Sequence, residues 1–168
     1  MGMFVGPIHH VCVTVSDMEK ALSFWRDTLG WEVIMQVPPH GSGEMNVLIG
    51  VPGRSSSVLL SQTNAGFNGM VELIEFSSHS GKPFPSDEKF SDVGLRLLSF
   101  VVSDIDVAYE ELQAKGCIFH SPPRSMELRG GAVVKACIFR EPVDGVQIEI
   151  FQYLGDENAY QFLHPNVP

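Results

Sequence analysis

A segment near the start of the chain, His10-Val-Cys-Val-Thr-Val-Ser-Asp17, returns past its middle as Leu97-Leu-Ser-Phe-Val-Val-Ser-Asp104, and each copy runs directly into a helical pattern. The register carries on into those helices, with Met18, Ala21, Leu22 and Trp25 falling on Ile105, Ala108, Tyr109 and Leu112. Those are the i, i+3, i+4 and i+7 positions of one helix face. Each half then closes on an apolar strand holding a single acid, Val71-Glu72-Leu73 in the first and Ile148-Glu149-Ile150 in the second. A β-α unit used twice, with an acid at the same place in each copy, points to a small-molecule site built from two similar modules.

Alternation fixes which side chains share a face. Ile8 to Val15 is rich in β-branched residues and reads as a strand, which places His10, Cys12 and Thr14 on one side and Val11, Val13 and Val15 on the other. The valines are expected against the helix, and the His, Cys and Thr face is left for a cavity. Ser16 with Glu19 fits a capping box, the first helix is expected to run to Leu29, and Gly30 supplies its stop. Further strands are expected at Trp31 to Val37, Ser57 to Ser61 and Met70 to Phe76, while Met45 to Val51 fits a short strand or a helical turn equally. In the second half the pattern gives a strand at Leu95 to Val102, a helix from Asp104 to Lys115 stopped by Gly116, and strands at Cys117 to His120, Ala132 to Phe139 and Val146 to Tyr153. Asp144-Gly145 signals a hairpin between the last two. The expected organisation is a single domain over 1–168, made of a module at 7–76, a polar linker at 77–93, a module at 94–153 and a tail at 154–168.

The chemistry of the surface excludes some partners. Twenty acids against eleven Lys and Arg give a formal net charge of -9, which repels a phosphate backbone, so nucleic acid is not an expected partner. No apolar run approaches the roughly 20 residues that span a bilayer, and the first residues lack a basic leader region. A cytoplasmic protein without a membrane partner is therefore expected. Cys12, Cys117 and Cys137 are odd in number and widely spaced, which suits buried thiols better than a disulfide framework or a zinc ribbon.

The βαβββ-βαβββ order, the phrase Phe24-Trp-Arg-Asp-Thr-Leu-Gly-Trp31 and the inward acid of each closing strand resemble the vicinal oxygen chelate superfamily. That group includes glyoxalase I, methylmalonyl-CoA epimerase, extradiol dioxygenases and bleomycin-resistance proteins, and the likeness covers roughly residues 7 to 153. The resemblance implies an α+β fold in which two βαβββ modules form a half-open barrel around a divalent metal. It places His10 at the first-strand ligand position, Glu72 and Glu149 at the two acid positions, and Leu97 where a further ligand, usually a His, is expected. One imidazole and two carboxylates suit Zn²⁺, Ni²⁺, Mn²⁺ or Fe²⁺. Leucine has no lone pair to give, and His120 is the candidate substitute for that corner. Without a cation the two acids would repel, so a metal, a captured proton or Lys135 must balance them.

Two functions compete on these residues. In the first, resembling the glyoxalase-type lyases and isomerases, a metal polarises substrate oxygens while Glu149 or Glu72 moves a proton next to a carbonyl. In the second, resembling the drug-sequestering members, a metal-free pocket is lined by Leu97, Phe76, Phe151 and Trp31. The retained His and acids favour the enzyme over the binding protein, and the leucine disfavours a dioxygenase with two His ligands. Glu72 is preferred to Glu75, His9 is expected to be structural, and His79 enters only if the linker covers the pocket. A homodimer is expected, since a half-open barrel leaves sheet edges uncovered, with Tyr160 and Phe162 of the tail as candidates to cross the interface.

Overall fold

The computed structural model describes residues 6–155 apart from 42, 63–67, 78–80, 83, 84, 86, 88, 129 and 130. The chain forms two compact units, Met1–Pro83 and Phe84–Pro168. The tail residues Tyr160 and Phe162, and His79, lie outside the described residues.

The first unit contains β1 (His10–Thr14), α1 (Met18–Trp25), β2 (Glu32–His40), α2 (Gly43–Ile49), β3 (Ser55–Ser61) and β4 (Met70–Phe76). Its sheet order is β1-β4-β3-β2, so the first strand crosses over to lie parallel to the last. One face of this sheet is the core. Val13, Val15, Val58, Leu60, Val71 and Leu73 are buried there, and α1 contributes Met18, Ala21, Leu22 and Trp25. These four are the helix positions that the repeat singled out. The Trp25 and Trp31 rings meet edge to face at 5.9 Å, and both are buried, so Trp31 is a core residue rather than a pocket lining.

The second unit contains β5 (Leu98–Val101), α3 (Ile105–Ala114), β6 (Ile118–Phe119), β7 (Arg124–Glu127), β8 (Val133–Arg140) and β9 (Gln147–Leu154). Its order β5-β9-β8-β6 repeats the crossover, with β5 parallel to β9, and β7 also pairs with β8. Ile105, Leu112, Cys117, Cys137, Phe139, Ile148 and Ile150 form the core on the helix side. Tyr109 of α3 and Phe139 of β8 flank Phe119 at 4.6 and 5.0 Å.

Both modules break their edge strand at a proline pair. In β2 the pairing with β3 shifts register between Val37 and His40, across Pro38-Pro39. In the second unit β6 and β7 are two pieces of one edge beside β8, separated by a gap that holds Pro122-Pro123. Proline donates no ladder hydrogen bond, so it is tolerated at an edge and interrupts it there.

Several expected boundaries are corrected. The first helix ends at Trp25, not Leu29, and the chain passes through turns to Gly30 at φ +75°. The N-cap is Asp17 rather than Ser16, its carboxylate accepting from the Lys20 amide at 3.1 Å. Asp104 caps α3 in the same way, accepting from the Asp106 and Val107 amides at 3.1 Å each. Of the ambiguous piece at Met45 to Val51, the part up to Ile49 lies in the helix α2 and the last two residues follow it. The hairpin expected around Asp144-Gly145 is present, with β8 and β9 antiparallel, and its loop is organised by Glu141, which is buried and accepts from the Val143, Asp144 and Val146 amides at 2.6, 2.7 and 3.2 Å.

Candidate functional site

Parallel pairing sets the residues of the first unit's outer strands side by side. Cys12 lies opposite Glu72, and His10 is two positions earlier on the same face. The Glu72 carboxylate consequently reaches both: Oε2 is 3.4 Å from His10 Nε2 and 3.4 Å from Cys12 Sγ. One donor atom from each of the three residues lies within 4.8 Å of the others. His10 and Cys12 are exposed and Glu72 is half-buried, on the sheet face opposite the helix.

The other acid of β4 has a different task. Glu75 is on the helix side, where its Oε1 accepts from the Met18 amide at 3.3 Å at the start of α1. In the second unit Gln152 does the same, accepting from the Ile105 amide at 3.1 Å and donating to the Ser103 carbonyl at 2.8 Å. The preference for Glu72 over Glu75 as the acid facing His10 agrees with this placement.

The second unit repeats the acid with a different neighbour. Ser99 lies opposite Glu149, as Cys12 does opposite Glu72, and its hydroxyl donates to Glu149 Oε2 at 2.6 Å. Leu97 immediately precedes β5, on the face that alternation gives to Ser99. His120 extends the same lateral row, because its amide bonds the Ile138 carbonyl and Ile138 is paired with Glu149. Its Nε2 is held 3.2 Å from the Gln147 side-chain oxygen. Lys135 does not neutralise Glu149. It lies on the opposite face of β8, where its Nζ bonds Asp106 at 2.6 Å.

One further expectation is corrected at this face, that of Cys12 as a buried thiol. His9 is exposed, and its Nδ1 is 2.8 Å from His10 Nδ1, so one ring donates to the other and leaves His10 Nε2 turned to Glu72. Cys12 is not a buried thiol. Cys117 and Cys137 are buried, and burial above all pushes them up to about 12 and about 11. Cys12 is exposed, and its pKa is raised by partial burial first and then by the hydrogen bond to Glu72 and its charge. The alternation of β1 already placed Cys12 beside His10, which was the available signal; counting cysteines by spacing alone hid it.

A family model described as the Glyoxalase/Bleomycin resistance protein/Dioxygenase superfamily matches residues 7–150. The chain belongs to this superfamily. Among glyoxalase-superfamily relatives, mitochondrial methylmalonyl-CoA epimerase of Mus musculus is 30% identical over 161 residues, spanning 88% of this chain and 74% of the relative. A glyoxalase family protein from Bacillus cereus superposes with a TM-score of 0.75 at 16% identity, covering 91% of this chain and 97% of that one. The antibiotic-binding protein TnmS3 from Streptomyces sp. CB03234 has a TM-score of 0.57 at 22% identity, covering 91% of this chain and all of that one, 100%. The structures agree with the fold expected from the sequence, two modules of mixed α and β built on the βαβββ plan. Among the described residues no helix is long and apolar enough to cross a membrane.

Proposed function

We propose that this superfamily member is a lyase or isomerase of the glyoxalase type, moving a proton on the carbon next to a carbonyl in a small-molecule substrate. The observation that carries the reading is the convergence of His10 and Glu72 across the β1–β4 pairing, in a donor set that suits a divalent ion. A divalent ion of the Zn²⁺, Ni²⁺, Mn²⁺ or Fe²⁺ class, bound there, would supply Lewis acidity to a substrate oxygen. Glu149, the matching acid of the second module, is the proposed proton-moving carboxylate.

The protein's own groups would do the proton work. A carboxylate near an acidified C–H is a competent general base, and Glu149 is already oriented by the Ser99 hydroxyl on one oxygen, which leaves the other for substrate. Glu72, loosely placed between His10 and Cys12, is suited to holding charge, and in an epimerisation it is the second candidate for returning a proton. The epimerase relative makes acyl-CoA thioesters with an acidic α-hydrogen the first substrates to test.

The test is solvent deuterium exchange at the α-carbon of such thioesters and of the hemithioacetals used by glyoxalases, with metal-loaded protein. Exchange is expected with the wild type, and Glu149→Gln should lower it by roughly 10²- to 10⁴-fold. Absence of exchange across both substrate classes would remove the enzyme reading. The alternative is a metal-free binding protein, favoured by Leu97 at a ligand position and by Phe76 and Phe151, which alternation puts on the acid-bearing faces of β4 and β9. Tight binding of an aromatic compound without any exchange would support it.

A further inference from the structure

The superfamily resemblance accounts for His10 and Glu72 but gives no part to Cys12, whose sulfur lies in the same cluster. We propose that Cys12 is a metal ligand, forming with His10 Nε2 and Glu72 Oε2 a His-Cys-Glu site within the first module that selects zinc-class ions; this rests on the metal reading above and deepens it.

The geometry of the three donors supports this. Ligand bonds of about 2.0 to 2.3 Å to a tetrahedral ion place neighbouring ligand atoms about 3.3 to 3.8 Å apart. The separations from Glu72 Oε2 to His10 Nε2 and to Cys12 Sγ are both 3.4 Å. The His10–Glu72 separation is long for an N–H···O hydrogen bond, the Cys12–Glu72 separation is that of an S–H···O hydrogen bond in the metal-free site, and both fall in the range of the edges of such a shell. The neighbouring ring supports the same atom choice. With Nδ1 of His10 bonded to Nδ1 of His9 at 2.8 Å, a proton on His10 Nδ1 leaves the lone pair on Nε2, which faces the cluster. The local strand geometry also holds the set in place, because all three residues sit on paired β1 and β4 rather than on loops.

A sulfur donor changes which ion is held. Thiolate and imidazole favour Zn²⁺, Co²⁺ and Ni²⁺, whereas Mg²⁺ and Mn²⁺ favour all-oxygen shells. Binding replaces the Cys12 S–H bond with a metal–sulfur bond and releases that proton to solvent. The protein also needs no ligand from position 97 to reach three side-chain donors, so Leu97 ceases to be an obstacle to metal binding.

The test is titration of chelator-treated full-length protein with Co²⁺ alone, read by absorption. The wild type should show visible bands of a tetrahedral ion together with a near-ultraviolet sulfur-to-cobalt charge-transfer band. Cys12→Ser should keep its folded circular dichroism, lose the charge-transfer band and bind at least about tenfold more weakly, since losing a ligand should cost no less than losing a group that only orients one. The band should also collapse in His10→Ala, which leaves the thiol in place but breaks the donor set. Cobalt bound without the charge-transfer band, or a Cys12→Ala variant that binds as well as wild type, would each overturn the assignment to Cys12 while leaving the metal reading intact, and a band that survives in His10→Ala would overturn the three-residue donor set. Failure of cobalt to bind wild type at all would overturn both.

Discussion

The three cysteines show how little a residue's type says until its strand face is known. Cys117 and Cys137 are buried in the second module's core, and Cys12 is exposed beside Glu72. In native, metal-free protein we expect a thiol reagent to modify Cys12 alone, with all three cysteines reacting after denaturation; mass spectrometry of the modified peptides checks this. Because the pKa of Cys12 is raised, its rate should still be climbing at pH values where an ordinary exposed thiol has levelled off. The buried pair has a consequence for stability. Their folded pKa values, about 12 and about 11, lie above the ordinary 9.0, so the unfolded chain loses these protons first as pH rises. The stabilisation is complete below pH 9.0, declines above it and is lost as pH passes through about 11 and about 12. Urea midpoints measured at about pH 8 and about pH 10 should therefore fall less in a Cys117→Ala, Cys137→Ala variant than in wild type.

Each module holds the start of its helix with a strand residue as well as an aspartate. Asp17 and Asp104 cap from within the chain, and Glu75 and Gln152 reach the first helical amide from the closing strand. Replacing Asp104 by Ala should cost about 1 kcal/mol of unfolding free energy, and Asp104→Asn should recover most of it, as measured by chemical denaturation. The repeat in the sequence revealed the helix faces, since Ala21, Leu22 and Trp25 in one copy and Ile105 and Leu112 in the other are core residues. It missed the cap by one residue because Ser16-x-x-Glu19 satisfies the capping pattern equally well in one dimension. The helix was overextended because the residues before Gly30 keep a helical composition while their amides bond in turns. The strand β7 was missed because its four residues alternate neither in charge nor in hydrophobicity and are held by β8 alone.

At the scale of the whole molecule, the first module leaves apolar surface on its edge. Val33, Ile34 and Met35 of β2 are 41%, 48% and 50% exposed, and Val47 and Leu48 of α2 about twice as far, at 83% and 80%. Apolar exposure along an open strand edge and on the short helix α2 favours self-association, and we expect a homodimer by light scattering at tens of micromolar, on the order of the concentration at which specific interfaces form. A Val47→Asp, Leu48→Asp variant should shift that population toward monomer; an unchanged mass would place the contact elsewhere. The amino-acid sequence alone determined the twofold β-α plan, the core face of each helix and the acid in each closing strand, because periodicity and internal repetition are local properties of a chain. Tertiary structure decided what those residues meet. Only the parallel crossover of β1 beside β4 brings residues from opposite ends of the first module within 3.4 Å, converting a strand cysteine read as a buried thiol into the neighbour of His10 and Glu72. Only the opposite faces of β8 separate Lys135, tied to Asp106, from Glu149, which it was one of three candidates to balance.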